Sequence, residues 1–303
     1  MSPPLLPMAQ IAAPYALLCA YAEDLFDRLI QVKARGQLNP AFPEGYPPAV
    51  DWNIIGYLTG VDALPRGIPV SAVDSFGQDV YYGLLLSSKT APTNSAIVIR
   101  GTEDMTEWLE DAEFVPQSIQ GGAVVETGFY ALYKRMNFAD VSGNPANGLL
   151  AGLSEALKNA GATSTVVTGH SLGAALATHL ALDLALTPLT NVQVSTYLFA
   201  SPRVGDAAYA SLFNSQVSTC KGYSFDLDLV PKLPSIGYTP LPSIQNFSPA
   251  EAQARIKISI LNPAAAHHAV CYAAMLDYNA VPKWQGLPFI NSTCCSCVLG
   301  PNP

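Results

Sequence analysis

Charge is scarce in this chain. Lys, Arg, Asp and Glu make up 13% of its 303 residues, about half the usual share, so the surface is less charged than that of an average domain. What charge there is runs acidic, with a net −8. Nucleic acid needs a basic footprint, which is missing, and an acidic chain is not drawn to anionic membranes over long range. Long apolar runs are missing as well. None reaches the ~18 residues of a membrane span, and the most apolar stretch, 172–186, is interrupted by His179 and Asp183. The opening MSPPLLPMAQIAAP lacks a basic start and is broken by prolines, so it reads as a poor export signal. Either export is absent, or the numbering begins at a mature or engineered end.

Metal ligands are thin too. The six cysteines are Cys19, Cys220, Cys271, Cys294, Cys295 and Cys297, three of them crowded into the tail STCCSC. A zinc site would want two separated pairs or histidines at metal spacing, and neither is present. A bridge from the tail to Cys19 or Cys220 is one arrangement open to these thiols, and unpaired cysteines are the other.

The pattern that is present alternates strands with helices. Residues 11–32 carry leucines and a tyrosine at helical spacing, after a proline-broken leader over 1–14. Prolines mark a loop over 40–48, and 51–73 reads as irregular chain with turn residues. Residues 79–88 read as a strand, and 96–100, AIVIR, as an apolar and therefore central one. Residues 102–114 place Met105, Trp108, Leu109 and Ala112 on one helical face, with Asp104 and Glu107 resembling a capping box. Helices follow at 128–136 and 149–159, a strand at 191–200, a helix at 206–213 and a strand at 221–228. Proline-broken chain then runs to about 250, an edge strand is expected near 256–260, and a last helix at 269–277. Such alternation predicts an α/β fold with a mostly parallel sheet flanked by helices, in a single domain over 1–303.

The rest is organised around 163–185, TSTVVTGHSLGAALATHLALDLA. A β-branched run leads into Gly169-His170-Ser171-Leu172-Gly173, and a small-residue helix follows. Glycines on both sides of Ser171 permit a tight turn and close approach of helix to strand. The turn lifts the hydroxyl above the sheet, over a helix N-terminus with unpaired N–H groups. That placement suits a nucleophile and the oxyanion it creates.

A serine nucleophile needs a base and a group to orient it. Of four histidines, His170 lies inside the turn and His179 lies about 12 Å along the following helix at 1.5 Å per residue. His267 and His268 remain. Among the carboxylates between Ser171 and that pair, Asp183 is mid-helix and Asp206 reads as an N-cap. Asp226 and Asp228 lie at the carboxyl end of a strand, where such sheets place their chemistry. Asp228, nearer the end and just before Val230-Pro231, is preferred.

At this point the sequence resembles the class 3 lipase family, fungal-lipase-like α/β-hydrolases, in blocks spread over roughly 79–276. AIVIRGTEDMTEWLEDAEF is similar to the family's strand, oxyanion loop and lid. Gly128-Phe129 with Tyr133, the GHSLG turn, FASPRVG at 199–205 and Asp228-Leu-Val-Pro are similar to four further blocks. Glu126-Thr127 depart from it, standing where the family usually carries a histidine.

The resemblance implies an α/β-hydrolase fold with a short helical lid and a core over about 79–280. It implies Ser171 as nucleophile, Asp228 as acid and His267 as base, by its spacing of five to Tyr272, with His268 as the alternative. It implies Thr102 and Leu172 as backbone oxyanion donors, and Met105, Trp108, Leu109 and Ala112 as the lid face. The expected activity is a serine ester hydrolase, foremost a triacylglycerol lipase at a lipid–water interface. It would need no metal or cofactor, and no nucleic acid or partner protein. A feruloyl-type or other soluble esterase is the rival within the class, and an inactive lipid-binding protein the rival outside it. Secretion is in keeping with the resemblance.

Overall fold

A computed structural model of the chain describes residues 7–31, 42, 47–61, 79–101, 114–119, 121–187, 189, 191–254, 256–258, 266–281 and 298–301. Helix α1 (Pro7–Gln31) and a single turn α2 (Pro48–Asp51) precede strands β1 (Trp52–Val61), β2 (Asp79–Ser88) and β3 (Asn94–Ile99). A small hairpin of β4 (Pro116–Ser118) and β5 (Val124–Glu126) leads to α3 (Thr127–Lys134), β6 (Asn137–Ala139) and α4 (Leu149–Asn159). Then come β7 (Ser164–His170), α5 (Leu172–Leu186), β8 (Gln193–Phe199), α6 (Ala207–Gln216), β9 (Cys220–Phe225) and β10 (Ile244–Phe247). The short α7 (Pro249–Gln253), β11 (Ile256–Ile258), α8 (Ala269–Leu276) and β12 (Val298–Pro301) complete the order.

The main sheet has eight strands among the described residues, in the order β10-β9-β8-β7-β3-β2-β1-β6. Strands β3, β7, β8, β9 and β10 pair in parallel, while β2, β1 and β6 extend the sheet antiparallel. The mostly parallel sheet expected from the sequence is therefore present, with helices covering it. Strand β3 is buried at every position after Asn94, as its unbroken apolar run requires of a central strand. Helix α5 is buried at every residue from Leu172 to Leu182. It is apolar over most of its circumference because it packs on β7, β8 and β3 while α3 and α6 cover it from outside. A second core holds α1 against α8 and against β7, β3, β2 and β8, with Tyr15 stacked on Tyr197 at 4.9 Å between ring centroids.

Four local expectations need correction. Residues 52–61 are a ten-residue strand, not irregular chain. The glycines that suggested turns make room for aromatic rings: a Cβ on Gly56 would lie 2.2 Å from the Phe138 ring, and one on Gly60 2.9 Å from the Tyr82 ring. Helix α1 begins at Pro7 and passes through Pro14, which is exposed, so water can take the hydrogen bond that proline cannot make. Strand β10 lies within the stretch read as proline-broken chain. Strand β11 pairs with β12 in a separate two-stranded sheet and is not an edge of the main one.

The helix expected at 102–114 falls, up to residue 113, outside the described residues, as do Cys294, Cys295 and Cys297. Cys19 and Cys220 are free thiols. Among the described residues, no helix is long and apolar enough to cross a membrane, and no group of His, Cys, Asp and Glu is arranged to hold a metal.

Candidate active site

The site grows out of the junction between β7 and α5. Ser171 takes φ 57° and ψ −125°, a sparsely populated conformation costing about 1–3 kcal/mol that must be held by its surroundings. The flanking glycines show what holds it. A Cβ on Gly169 would meet the Gly173 carbonyl oxygen at 2.2 Å, and one on Gly173 would meet the Ile99 carbonyl oxygen at 2.3 Å. Helix α5 thus starts in direct backbone contact with β7 and β3, and any side chain there would push them apart. The Ser171 N–H donates to the Phe199 carbonyl at 3.0 Å, tying the turn to the end of β8. Leu172, buried, opens α5, so its N–H belongs to the first turn, where helices have no internal acceptor. Beside the turn, Arg100 pins the end of β3. It donates to the Tyr81 and Gly101 carbonyls, both at 2.8 Å, and its guanidinium lies 3.3 Å from the Phe26 ring centroid on α1.

Three side chains distant in sequence meet here. His267 Nε2 lies 2.7 Å from Ser171 Oγ. His267 Nδ1 lies 2.9 Å from Asp228 Oδ2 and 3.1 Å from Oδ1. A carboxylate only accepts, so Nδ1 carries the hydrogen, and in the neutral ring Nε2 is left to accept from the serine hydroxyl. Asp228 stands just past β9, 1% exposed, and accepts two further bonds: from Tyr272 Oη at 2.7 Å and from the Val230 N–H at 2.9 Å. Burial, and then the Asp228 charge, push the Tyr272 phenol well above its ordinary value, which keeps it a donor. In the sequence Tyr272 stands out only by its spacing from His267 and His268. Its bond to Asp228 spans 44 residues, and no local pattern announces it.

The other candidates have structural partners. His268 caps α8, its ring accepting from the Val270 N–H at 3.2 Å. Asp226 accepts from Asn246 Nδ2 at 2.6 Å, Asp183 from Tyr133 Oη at 2.7 Å, and Asp206 caps α6 through the Tyr209 N–H at 2.8 Å. Glu126, standing where the family usually has histidine, caps α3 by accepting from the Phe129 N–H at 2.7 Å. Burial raises its carboxyl. Thr102, Met105, Trp108, Leu109 and Ala112 lie outside the described residues.

Burial also governs the remaining histidines. It lowers His179 to about 3 and His268 to about 4, and it holds His170 well below the ordinary imidazole range. His179 sits among Tyr130, Tyr133 and Tyr209, and the Tyr209 hydroxyl is 3.1 Å from its Nδ1. The unfolded chain accepts protons on these rings below about pH 6.5 while the folded chain refuses them. Their contribution is therefore complete above that pH and is lost as pH falls toward 4, by up to about 1.4 kcal/mol per pH unit for each ring. Glu126, with a raised carboxyl, works in the opposite direction and is one group against three. The urea midpoint should drop steeply between about pH 6.5 and 4.5, and His179→Gln should flatten that slope. A midpoint constant across this range would show that the rings are protonated in the folded state.

Comparison with known proteins bears on the same residues. Residues 96–238 match the family described as lipase (class 3). The chain is 35% identical over 152 residues to the secreted mono- and diacylglycerol lipase A of Penicillium cyclopium, covering 48% of this chain and 46% of that protein. It is 32% identical over 169 residues to phospholipase A1-II 7 of Oryza sativa subsp. indica, covering 46% of this chain and 40% of that one. It thus spans less than half the length of these relatives. Lipase II from Rhizopus niveus superposes with a TM-score of 0.56 at 22% identity, over 78% of this chain and 80% of that one. That likeness is one of fold, and the fold is the α/β-hydrolase fold.

Proposed function

Because residues 96–238 match the class 3 lipase family, we propose that this chain hydrolyses carboxylic esters, acylglycerols foremost, through an acyl-enzyme on Ser171. The observation that carries the reading is the unbroken hydrogen-bond chain from Ser171 through His267 to Asp228. Ser171 Oγ attacks the ester carbonyl while His267 Nε2 takes its proton. The protonated ring then gives that proton to the leaving alkoxide. Water repeats the sequence on the acyl-enzyme, with His267 again as base, and releases the fatty acid. Asp228 keeps the ring in the required tautomer and stabilises it when charged. Tyr272 and the Val230 N–H hold Asp228 in turn. The oxyanion is met by the N–H groups of Leu172 and, by resemblance, Thr102, each such donor contributing about 3 kcal/mol in the transition state. No metal or cofactor enters any step. The secreted relative supports a secreted place of work, where lipid–water interfaces occur.

The substrate class is tested by measuring released acid from a panel of emulsified long-chain acylglycerols, phospholipids and dissolved short-chain or feruloyl esters. A preference for emulsified acylglycerol supports a lipase. A preference for dissolved esters moves the protein to the soluble esterases, and no release from any would leave lipid binding.

The lid belongs to the same proposal. Met105, Trp108, Leu109 and Ala112 share a helical face in the sequence, next to Thr102. A lid reading has that face cover Ser171 in water and gain an apolar partner at a lipid surface. Burying a large apolar side chain contributes about 1.5–3 kcal/mol, so two or three can shift a closed-to-open equilibrium by several powers of ten. Trp108→Ser should therefore lose much more activity on emulsified long-chain triglyceride than on a dissolved short-chain ester. Equal losses on both, or none on either, would mean the segment has a structural role and the protein is better called an esterase.

A further inference from the structure

His170 carries the one polar side chain of the GHSLG turn that the acyl-transfer reading leaves without a role. It is buried at the end of β7, and its Nε2 lies 2.5 Å from the carbonyl oxygen of His267. A carbonyl only accepts, so Nε2 carries the hydrogen. In the neutral ring Nδ1 is then bare. That nitrogen is buried with no hydrogen-bond partner among the described residues, and it lies against Gly101, where an added Cβ would come within 3.0 Å of it. The ring also packs beside that of His267, 4.8 Å between centroids and tilted by 40°, and 6.2 Å from Tyr272. Burial first, and then the neighbouring rings of His267 and His268, disfavour a charge on His170. The imidazole that must become a cation during turnover therefore has a neutral neighbour.

The contacts made by the His267 ring fix its rotation. Asp228 holds Nδ1, and Nε2 faces Ser171. They do not fix the main chain that carries the ring. His170 does, through the His267 carbonyl, and His170 is the covalent neighbour of Ser171. Nucleophile and base are thereby referred to the same rigid strand end. Misplacement of a reacting group by about 1 Å can cost 10²-fold in rate, so a tether of this kind has kinetic consequences.

We propose that His170 is a positioning residue, whose Nε2–H holds the His267 carbonyl and so sets the separation of His267 from Ser171. The inference rests on the acyl-enzyme reading of the site.

The test compares two variants of similar length in the full chain. His170→Gln keeps a side-chain N–H within reach of the carbonyl, and His170→Met removes it. His170→Met should lose roughly 10- to 100-fold in kcat with KM changed less than about twofold. Labelling of Ser171 by a fluorophosphonate should slow in step. His170→Gln should recover most of both rates. Equal kcat in the two variants, or a loss confined to thermal stability, would overturn the inference, as would failure of both variants to fold, which would make His170 a packing residue. Ser171→Ala is measured alongside. If it retains turnover, the acyl-enzyme reading itself has failed. If it is inactive while His170→Met keeps full kcat, only the positioning role has.

Discussion

Ser171→Ala is expected to lower kcat by at least about 10³-fold on every ester the protein hydrolyses, with the fold intact. The size follows from what is removed. The covalent route disappears, leaving only oxyanion stabilisation and substrate binding to act on direct attack by water. Folding should survive, because the strained backbone at 171 is held by contacts of Gly169 and Gly173 with neighbouring main chain, which alanine leaves in place. Its smaller side chain also frees His267 Nε2 without burying a new polar group. Circular dichroism and thermal melting check the fold, and pre-steady-state acyl release checks the chemistry. Turnover within a few-fold of the parent would remove Ser171 from the mechanism.

The second large effect is expected from Asp228→Asn. Three donors converge on this carboxylate: His267 Nδ1–H, Tyr272 Oη and the Val230 N–H. An amide can accept at only one of its two arms. The Val230 N–H cannot turn, so it will claim the remaining oxygen at the Oδ1 side. The NH2 then faces Tyr272, whose hydroxyl can rotate to accept, and His267 Nδ1, which can accept only by giving up its hydrogen. That moves the ring hydrogen to Nε2, pointing at Ser171, and the base is lost although every atom remains near its place. The expected loss in kcat at neutral pH is about 10³–10⁴-fold with KM little altered. Activity within tenfold of the parent, in a folded variant, would mean that Asp228 serves stability alone.

These effects concern residues whose chemistry is local enough to read in a sequence. The turn at 169–173 is legible because its two glycines, its preceding β-branched strand and its following helix are contiguous. Asp228 is legible as a carboxylate at a strand end, and the structure brings Ser171, Asp228 and His267 into one chain of hydrogen bonds while His268 caps α8. What escaped the sequence depends on contacts between distant residues. Strand β1 was hidden by glycines whose purpose is to admit Phe138 and Tyr82. Strand β10 was hidden by the prolines around it, and its parallel pairing with β9 is visible only in space. The same holds for Tyr272, which faces Asp228 across 44 residues, and for His170, whose partner is a main-chain atom 97 residues away.

The central claim is that hydrolysis passes through an ester of Ser171. It is tested most directly by mixing the protein with a slow-turnover long-chain ester, quenching with acid within the first turnover, and mapping peptides by mass spectrometry. The account predicts an acyl group on the peptide containing Ser171, formed in a burst and absent from Ser171→Ala. Free acid appearing at the full steady rate with no acylated peptide at any time would contradict it.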